Sequence, residues 1–394
     1  MTRPAVDDHQ RRARLAHRHH LAPGSAINDI AVLADSLVGL HSSDPVTVFL
    51  STAARMASPS IGAIEAALYR ERTVVRHHAM RRTLWVMTPT TARSAHAAST
   101  AKVAVSERKR LVKMLAVGEG IDDAESWLEA ACEQVLGFVR GERETTTRAV
   151  GEAFPELRVP IAPPGSPEGT SFAAHTRVLL QLGFEGELIR VRPAGSWING
   201  QYAWRATDDW CGGPVAGGDP ARGEVEIVRL WLRGFGPGTV EDLKWWTGWT
   251  LASARRALDT VGVTEVGLDD GSAALLLTDD LDPVAQPDPW VALLPGLDPT
   301  VMGWKRRDWY LDPDHADQLF DRNGNGGPTV WVDGRIVGGW VQRPDGTIGV
   351  GLLTDPGAEA KAAIEARAHT LETWLGDTRF KVRFPAPQQR SLLA

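Results

Sequence analysis

Apolar residues recur at helical spacing near the start of the chain. The spacing of Ile27, Ile30 and Leu37 predicts one helix. A second helix is expected to begin at Asp44, which is a capping residue, and a third to follow from position 61. Val, Thr, Leu and Trp predominate over 73–87, which predicts two strands joined by a turn. Three short helices followed by a hairpin are typical of a winged helix-turn-helix unit.

The same order of elements recurs twice more. Helices are predicted over 124–140 and 171–182, and a second hairpin follows over 186–206. A third round starts with a helix at 225–232 and ends with strands between 261 and 278. Three rounds without obvious sequence repetition predict tandem winged helices.

From residue 289 onward the pattern changes to short apolar strands. The pair Asp333-Gly334 is a strong signal for a hairpin turn. A final helix is predicted over 358–374, then a strand at 379–384 and a loose tail at 385–394. We therefore expect an α+β protein with a first winged helix and a long connecting helix at 1–118, further winged helices at 119–215 and 216–285, and a mostly β carboxy-terminal portion at 286–394.

Composition narrows the class of protein. A length of 394 residues suggests two or three modules, and 43% apolar with 23% charged residues is ordinary for a folded chain. No window approaches 18 consecutive apolar residues, and the first twenty residues lack the apolar stretch of a signal peptide. Cys132 and Cys211 lie far apart, as expected for buried thiols in a reducing compartment. We expect a cytoplasmic protein without a membrane partner.

Charge is distributed unevenly along the chain. Residues 1–113 hold 17 Lys and Arg against 8 Asp and Glu, a balance of +9, whereas the remainder holds 26 against 41, a balance of −15. Eight of the eleven histidines also lie in the first part. Such asymmetry suggests a surface for a polyanion. The alternative is that the opposite charges attract one another within the protein.

Most catalytic signatures are missing from the sequence. It contains no phosphate-binding loop, no dinucleotide-binding motif, no HExxH and no GxSxG. The glycine-rich run at 323–327 is typical of a loop between strands. His17, His19 and His20 are not accompanied by carboxylate or thiol ligands, which favours a solvated basic surface over a metal site. We expect no metal and no cofactor.

Several side chains are candidates for contact with nucleic acid. Arginines on or beside the first hairpin would grip phosphates, and arginines of the amino-terminal segment would add to them. Aromatic residues of the second hairpin are candidates for contact as well, with packing as the alternative. The candidates are Arg76, Arg81 and Arg82 on the first hairpin, Arg11, Arg14 and Arg18 near the amino terminus, and Trp197, Gln201 and Trp204 on the second hairpin.

The stretch from Leu40 to Pro45 lies between two predicted helices. On spacing alone, Ser43 or Asp44 caps the second helix and His41 is an exposed loop residue. A catalytic interpretation requires more than spacing.

Four segments together resemble one bacterial family of winged-helix DNA-binding proteins, which includes the AlkZ-type and YcaQ-type DNA glycosylases. The segments are VGLHSSDPVTVFLSTAARM, VVRHHAMRRTLWVMTP, FGPGTVEDLKWWTGW and LLPGLDPTVMGWKRRDWYL, in matching order and spacing between about residues 10 and 385. The resemblance implies three tandem winged helices arranged as a C-shaped DNA clamp, with a carboxy-terminal β portion. Members with known activity excise alkylated or bulky modified purines.

The resemblance also locates a catalytic pair. In those glycosylases a Gln-x-Gln or Gln-x-Asp motif follows the tripeptide that corresponds to Val38-Gly39-Leu40. In this chain the two matching positions are His41 and Ser43. An N3- or N7-alkylated purine is already cationic and leaves without a strong acid, so the enzyme must position a water and stabilise a cationic sugar. His41 would orient that water and accept its proton, Ser43 would hold it, and Asp44 would supply negative charge.

Two further residues match a recurrent polar pair of the family's carboxy-terminal portion. They are Asp298 and Arg307. For both residues a structural salt bridge and a functional role remain open.

The first hypothesis is therefore a monofunctional, metal-free DNA glycosylase that acts as a monomer on double-stranded DNA with modified purines, in base excision repair or self-resistance to a genotoxin. No lysine nucleophile lies near His41, which argues against a lyase step. The absent glutamine pair favours the alternative, a non-catalytic winged-helix regulator or lesion sensor. A protein-interaction scaffold is a third possibility.

Overall fold

Helices account for most of the regular structure in the computed structural model, which describes residues 4–142, 144–167 and 169–394. The Pro- and Gly-rich run at 161–171 is predicted from the sequence to be a loop, and its Glu168 lies outside the described residues. No helix in the described part of the chain is long and apolar enough to cross a membrane. The helices are α1 (Asp8–Arg18), α2 (Ile30–Ser36), α3 (Pro45–Ala53), α4 (Ile61–Glu65), α5 (Pro89–Ala95), α6 (Ala101–Leu115), α7 (Ala124–Gly141), α8 (Thr147–Ala153), α9 (Ala174–Glu185), α10 (Thr207–Cys211), α11 (Pro220–Phe235), α12 (Val240–Thr247), α13 (Leu251–Val261), α14 (Ala316–Leu319), α15 (Ala358–Leu375) and α16 (Pro387–Leu393).

Short strands occupy the positions between the helices, as the sequence predicts for a mixed α and β chain. Apart from the regions around 379–384 and 385–394, the predicted hairpins and helices are present, with ends that differ by a few residues. The strands are β1 (Leu40–His41), β2 (Val75–His78), β3 (Leu84–Met87), β4 (Pro160–Ile161), β5 (Phe172–Ala173), β6 (Leu188–Pro193), β7 (Tyr202–Ala206), β8 (Val263–Gly267), β9 (Ala273–Leu277), β10 (Val291–Leu294), β11 (Thr329–Val332), β12 (Arg335–Gln342) and β13 (Ile348–Leu352).

The chain divides into two compact units. Unit 1 comprises Met1–Ala67 and Val225–Ala394, and unit 2 comprises Leu68–Glu224. The boundary at 67/68 falls inside the segment predicted as the first winged helix. Helices α1 to α4 of that segment thus belong to unit 1, whereas its hairpin and helices α5 and α6 belong to unit 2. The four domain boundaries expected from the sequence remain predictions.

Unit 1 contains an antiparallel sheet in the order β10-β11-β12-β13. The predicted turn between β11 and β12 is confirmed, because Asp333 and Gly334 both have positive φ, at 46° and 81°. Helix α15 packs against β10 and β13, and α16 packs against β12 and β13. The sheet therefore lies beneath two helices that come last in the chain.

Two predictions for the end of the chain are wrong. Residues 379–384 form no strand, and 387–393 form helix α16 rather than a loose tail. The side chain of Gln389 accepts a hydrogen bond from the amide of Ala386, and Gln388 donates one to the carbonyl of Gly351. Both glutamines are buried. The polar composition of this segment suggested a loose tail, but Gln388 bonds to β13 and Gln389 bonds within the segment.

Aromatic residues fill much of unit 1's interior. The rings of Trp231 and Phe235 stack with centroids 6.2 Å apart, and Trp304 meets Phe235 edge-on at 5.2 Å. Trp246 joins the same cluster at 6.2 Å from Phe235. Each of these side chains is buried. The dense tryptophan run at 245–249 is thus largely a packing element, which is the ordinary use of this large apolar side chain.

Unit 2 joins the two predicted hairpins into one antiparallel sheet, with the strand order β3-β2-β6-β7. The connection is the pairing of Arg76 on β2 with Arg190 on β6. Helices α6, α7 and α9 pack together beside this sheet, and Leu115, Leu128 and Val178 are fully buried among them.

Candidate active site

A sharp backbone turn precedes the candidate catalytic residues. Val38 has a φ of +60° and Gly39 a φ of +154°, both in the positive region that branched residues avoid. Valine at such a position stores strain, and strained residues of this kind concentrate at functional sites. The turn separates α2 from β1, and His41 is the last residue of β1.

His41 is buried, with 4% of its surface exposed, whereas spacing alone predicts an exposed loop residue. Its Nδ1 accepts a hydrogen bond of 3.4 Å from the amide of Ser43. Because Nδ1 accepts, the proton of the neutral ring lies on Nε2 in this arrangement. The ring therefore donates through Nε2, and protonating Nδ1 would place it against another donor.

Asp44 is the N-cap of α3, as predicted. Its Oδ1 accepts a hydrogen bond of 3.2 Å from the amide of Val46, and its Oδ2 accepts one of 2.9 Å from the amide of Arg383. Burial raises the pKa of the Asp44 carboxyl, against the opposing effect of these two hydrogen bonds. Each carboxylate oxygen keeps a further lone pair that can accept from a ligand or a water.

Arg383 is a residue of this site that sequence reasoning missed. Besides its amide bond to Asp44, its Nη1 donates a hydrogen bond of 2.7 Å to the carbonyl oxygen of Ser43. Arg383 holds the loop at two points, although 340 positions separate it from Ser43. The sequence feature that could have pointed to Arg383 was the basic run at 379–384, and that run was predicted to be a strand.

Helix α3 is fixed on its far side by a buried polar network. The hydroxyl of Thr47 donates to the carbonyl of Gly296 at 2.6 Å, and that of Ser51 donates to Asp298 at 2.6 Å. Arg55, just after α3, forms an ion pair of 2.7 Å with Asp298, and both side chains are fully buried. Burial raises the pKa of Asp298, but the charge and hydrogen bonds of Arg55 outweigh it and leave the pKa lowered. The helix that carries Asp44 is therefore rigidly held.

The structure gives different partners to Asp298 and Arg307, and a functional role for either residue stays a prediction. Asp298 has a structural salt bridge, and its partner is Arg55. Arg307 lies instead over the rings of Trp245 and Phe320, at 5.1 and 4.4 Å, and is half-buried.

Arg11 and Arg14 on α1 both have buried side chains, which does not favour the predicted phosphate contacts, and these contacts stay predictions. Arg11 pairs with Asp8 at 3.4 Å, and Arg14 donates to the carbonyls of Asp280 and Asp282. Arg18 is half-buried and forms an ion pair of 2.7 Å with Asp280. The positive charge of α1 is thus partly neutralised inside unit 1. For these three arginines the structure shows the alternative, an internal pairing of opposite charges.

The first hairpin offers a smaller basic surface than predicted. Arg76 is buried and donates to the hydroxyl of Tyr69 at 2.7 Å. Arg81 and Arg82 both have positive φ at the turn, at 52° and 62°. Arg82 is exposed and bonds to Glu107 at 2.7 Å. Of the three arginines, the two turn residues retain access to solvent.

In the second hairpin both tryptophans are buried, which agrees with packing, the alternative to contact with nucleic acid. Trp197 and Trp204 are each 5% exposed, and the indole N–H of Trp204 donates to the hydroxyl of Thr147 at 3.0 Å. Gln201 is exposed at the start of the second strand. The two tryptophans anchor the hairpin because they bury a large apolar area.

Metal ligands are not gathered in the described residues, where no group of three or more His, Cys, Asp or Glu could hold an ion. His19, one of the three amino-terminal histidines, is buried between the hydroxyl of Thr300 and the carbonyl of Gly234. Its ring also stacks on Trp304.

Comparisons with known proteins bear on this geometry. A family model described as "DNA glycosylase AlkZ-like" matches residues 34–374. Among solved structures, Streptomyces sahachiroi DNA glycosylase AlkZ superposes with a TM-score of 0.71, at 20% sequence identity, over 96% of this chain and 99% of that one. At this identity the likeness bears on the fold. A search of curated proteins found no match.

Proposed function

The chain belongs to the AlkZ-like family of DNA glycosylases, and we propose that it hydrolyses the N-glycosidic bond of alkylated or bulky-adduct purines. DNA is the partner that this family implies. Three tandem winged helices would clamp the duplex, and one chain would act as a monomer. The buried His41–Asp44 loop is the observation that carries the proposal, because it occupies the sequence position of the family's catalytic pair.

The hydrogen bonds of the loop suggest different catalytic roles for His41 and Asp44. A neutral His41 with its proton on Nε2 donates a hydrogen bond, so it orients the attacking water or the sugar oxygen rather than accepting a proton. Asp44 carries the remaining acceptor capacity and a negative charge, which suits both proton acceptance and stabilisation of an oxocarbenium-like sugar. The sequence-based role of His41 as proton acceptor thereby passes to Asp44.

Departure of the modified base requires little acid catalysis in this mechanism. A cationic N3- or N7-alkylated purine departs as a neutral base, so the protein needs no strong general acid. Water adds to the sugar carbon, its proton passes to Asp44, and the bond to the purine nitrogen breaks with its electrons on the base. The proposal depends on Arg383, because that residue fixes both the Asp44 carboxylate and the Ser43 carbonyl.

Release of free base from DNA with a single N7-methylguanine tests the proposal. We expect release by the natural protein and its loss in Asp44→Asn, with duplex binding retained in both. Binding of alkylated DNA without base release, alongside an active relative, would instead support the alternative of a lesion sensor or regulator. Footprinting separates these roles further, because a regulator protects a defined sequence.

A further inference from the structure

A pocket of about 180 Å³ lies between α6 and α9 of unit 2. Its apolar lining includes Leu111 and Met114 from α6, and Leu180 and Phe184 from α9. The spacing on each helix places these side chains on one side. The volume exceeds the roughly 150 Å³ of an apolar cavity that accepts benzene, so it is sufficient for one planar ring.

Arg177 of α9 lies at this pocket with unsatisfied hydrogen-bonding capacity. Its guanidinium carbon stands 3.8 Å from the ring centroid of Phe172, which also lines the pocket and is 37% exposed. Its Nε is buried and has no hydrogen-bond partner among the described residues. A buried donor without a partner is costly, and a ligand that accepts from it removes that cost.

Positive charge is in excess around Arg177. Arg110 lines the same pocket, and Glu107 is the one carboxylate among the lining residues of the described chain. Glu107 bonds to Arg82 at 2.7 Å and lies 4.0 Å from Arg110. Its single negative charge is therefore already paired with two arginines other than Arg177. Burial, and then the charge of Arg110, lower the pKa of Arg177. An anionic group on a ligand would relieve this repulsion.

We infer that this pocket binds one unstacked nucleotide, with its base in the apolar part beside Phe172 and its phosphate on Arg110 and Arg177. A nucleobase is a flat ring joined to an anion, which matches an apolar cavity bordered by two guanidinium groups. The inference rests on the proposed function in taking a DNA strand as the source of that nucleotide. Stacking of this kind tolerates any base, so the site carries no sequence preference.

Three probes test the pocket in the full-length protein: a short DNA duplex with a single-nucleotide bulge, the same duplex without the bulge, and free dAMP. The variants are Phe172→Ala and Arg177→Gln. The matched control is Arg148→Gln, which removes an 86% exposed arginine from α8 of the same unit. Affinity is measured by fluorescence anisotropy at several salt concentrations.

We expect the natural protein and the control to prefer the bulged duplex. Phe172→Ala should lose about 10- to 100-fold in affinity for it, the effect of removing one stacked base. Arg177→Gln should lower the magnitude of the salt slope by about one, as for one phosphate contact. Competition by dAMP would show that a free nucleotide is sufficient, whereas no competition would assign the site to a DNA strand.

Equal binding of both duplexes by the natural protein, or an equal loss in the Arg148→Gln control, would overturn the inference. If Phe172→Ala melts at a lower temperature, Arg177→Gln carries the test alone. Base release is measured on the same protein samples with a duplex that carries a single N7-methylguanine. A bulge preference without base release would contradict the proposed glycosylase function but support the nucleotide pocket. Base release without a bulge preference would support the glycosylase function but contradict the pocket.

Discussion

The carboxylate of Asp44 accepts a hydrogen bond of 2.9 Å from the backbone amide of Arg383, 339 positions further along the chain. The same carboxylate caps α3 through the amide of Val46. One carboxylate oxygen is sufficient for a helix cap. The second oxygen is therefore available to bind the amide of Arg383, and it holds that distant segment against the candidate active site. Asp44 therefore holds two structural contacts in addition to the catalytic role proposed for it, and substitutions can test these separately.

Asp44→Asn should separate capping from charge. Asparagine caps a helix about as well as aspartate through its one carbonyl oxygen. Its amide nitrogen cannot accept from the Arg383 amide, so the stability should fall by about the 0.5–1.5 kcal/mol of one hydrogen bond. Loss of the charge and of the proton acceptor should lower the rate of base release by about 100-fold or more, the usual range for such groups. Asp44→Ala is the companion variant, and it should also lose about 0.5–2 kcal/mol of stability with the cap. Base release by Asp44→Asn at the natural rate would contradict the assignment.

The rate of base release should depend on pH through Asp44. Burial raises the pKa of this carboxyl above the ordinary value of 3.8, so deprotonation occurs over a higher pH range than for an exposed aspartate. The rate should rise as Asp44 loses its proton and then level off. Measured between mildly acidic and neutral pH, Asp44→Asn should show a flat profile. A rising profile that survives in the variant would assign the titration to another group.

Arg383→Ala should lower the rate of base release without unfolding the protein. The exposed side chain is lost with its bond to the Ser43 carbonyl, whereas the amide bond to Asp44 remains. One hydrogen bond of about 0.5–1.5 kcal/mol corresponds to a decrease of about 2- to 10-fold. Arg379→Ala is the matched control, because its bonds go to the carbonyls of Gly376, Thr378 and Asp345. Equal effects of both substitutions would indicate general disruption of the segment.

Asp298→Ala should destabilise the protein strongly. It leaves Arg55 buried without its ion partner, and removing one member of such a pair costs about 3–5 kcal/mol. Urea denaturation measures the change in the free energy of unfolding, with the exposed Arg148→Ala as a control that should change by less than about 1 kcal/mol. A loss below about 1 kcal/mol for Asp298→Ala would show that the network contributes little.

Stability should fall as the pH drops below about 6.5. Burial lowers the pKa of His19 and of His77 to about 3, so both rings stay neutral in the folded state while the unfolded chain takes up protons. The stability they contribute is complete above the unfolded pKa and is lost as pH falls towards the folded value. The slope is about 1.4 kcal/mol per pH unit for each ring. Urea titrations of His77→Phe should show a shallower slope, and an unchanged slope would exclude His77 as a source.

The parts of the fold that depend on local sequence were predictable. The cap at Asp44, the turn at Asp333-Gly334 and both hairpins follow from neighbouring residues. Contacts across hundreds of positions were not predictable, because Arg55 and Asp298 carry no local signal of their pairing. The same limit explains why Arg14 was expected on the surface, since its partners Asp280 and Asp282 lie 266 and 268 positions away.

At the candidate site, the family resemblance pointed to the loop, and its hydrogen bonds led us to propose different roles for His41 and Asp44. His41 and Ser43 contact each other through the ring and the backbone amide, a geometry that residue types cannot specify. Arg383 was missed because its segment forms neither a helix nor a strand. One of its two bonds also uses the backbone amide, which every residue except proline has, so the residue type gives no sign of it.

The most direct measurement is base release from a panel of duplexes that carry N3-alkylated, N7-alkylated or bulky-adduct purines, with His41→Ala and Asp44→Asn beside the natural protein. The account predicts release of at least one modified purine by the natural protein, a loss of about 100-fold or more in each variant, and duplex binding nearly unchanged in all three. Tight binding of the modified duplexes with no base released by the natural protein would contradict it.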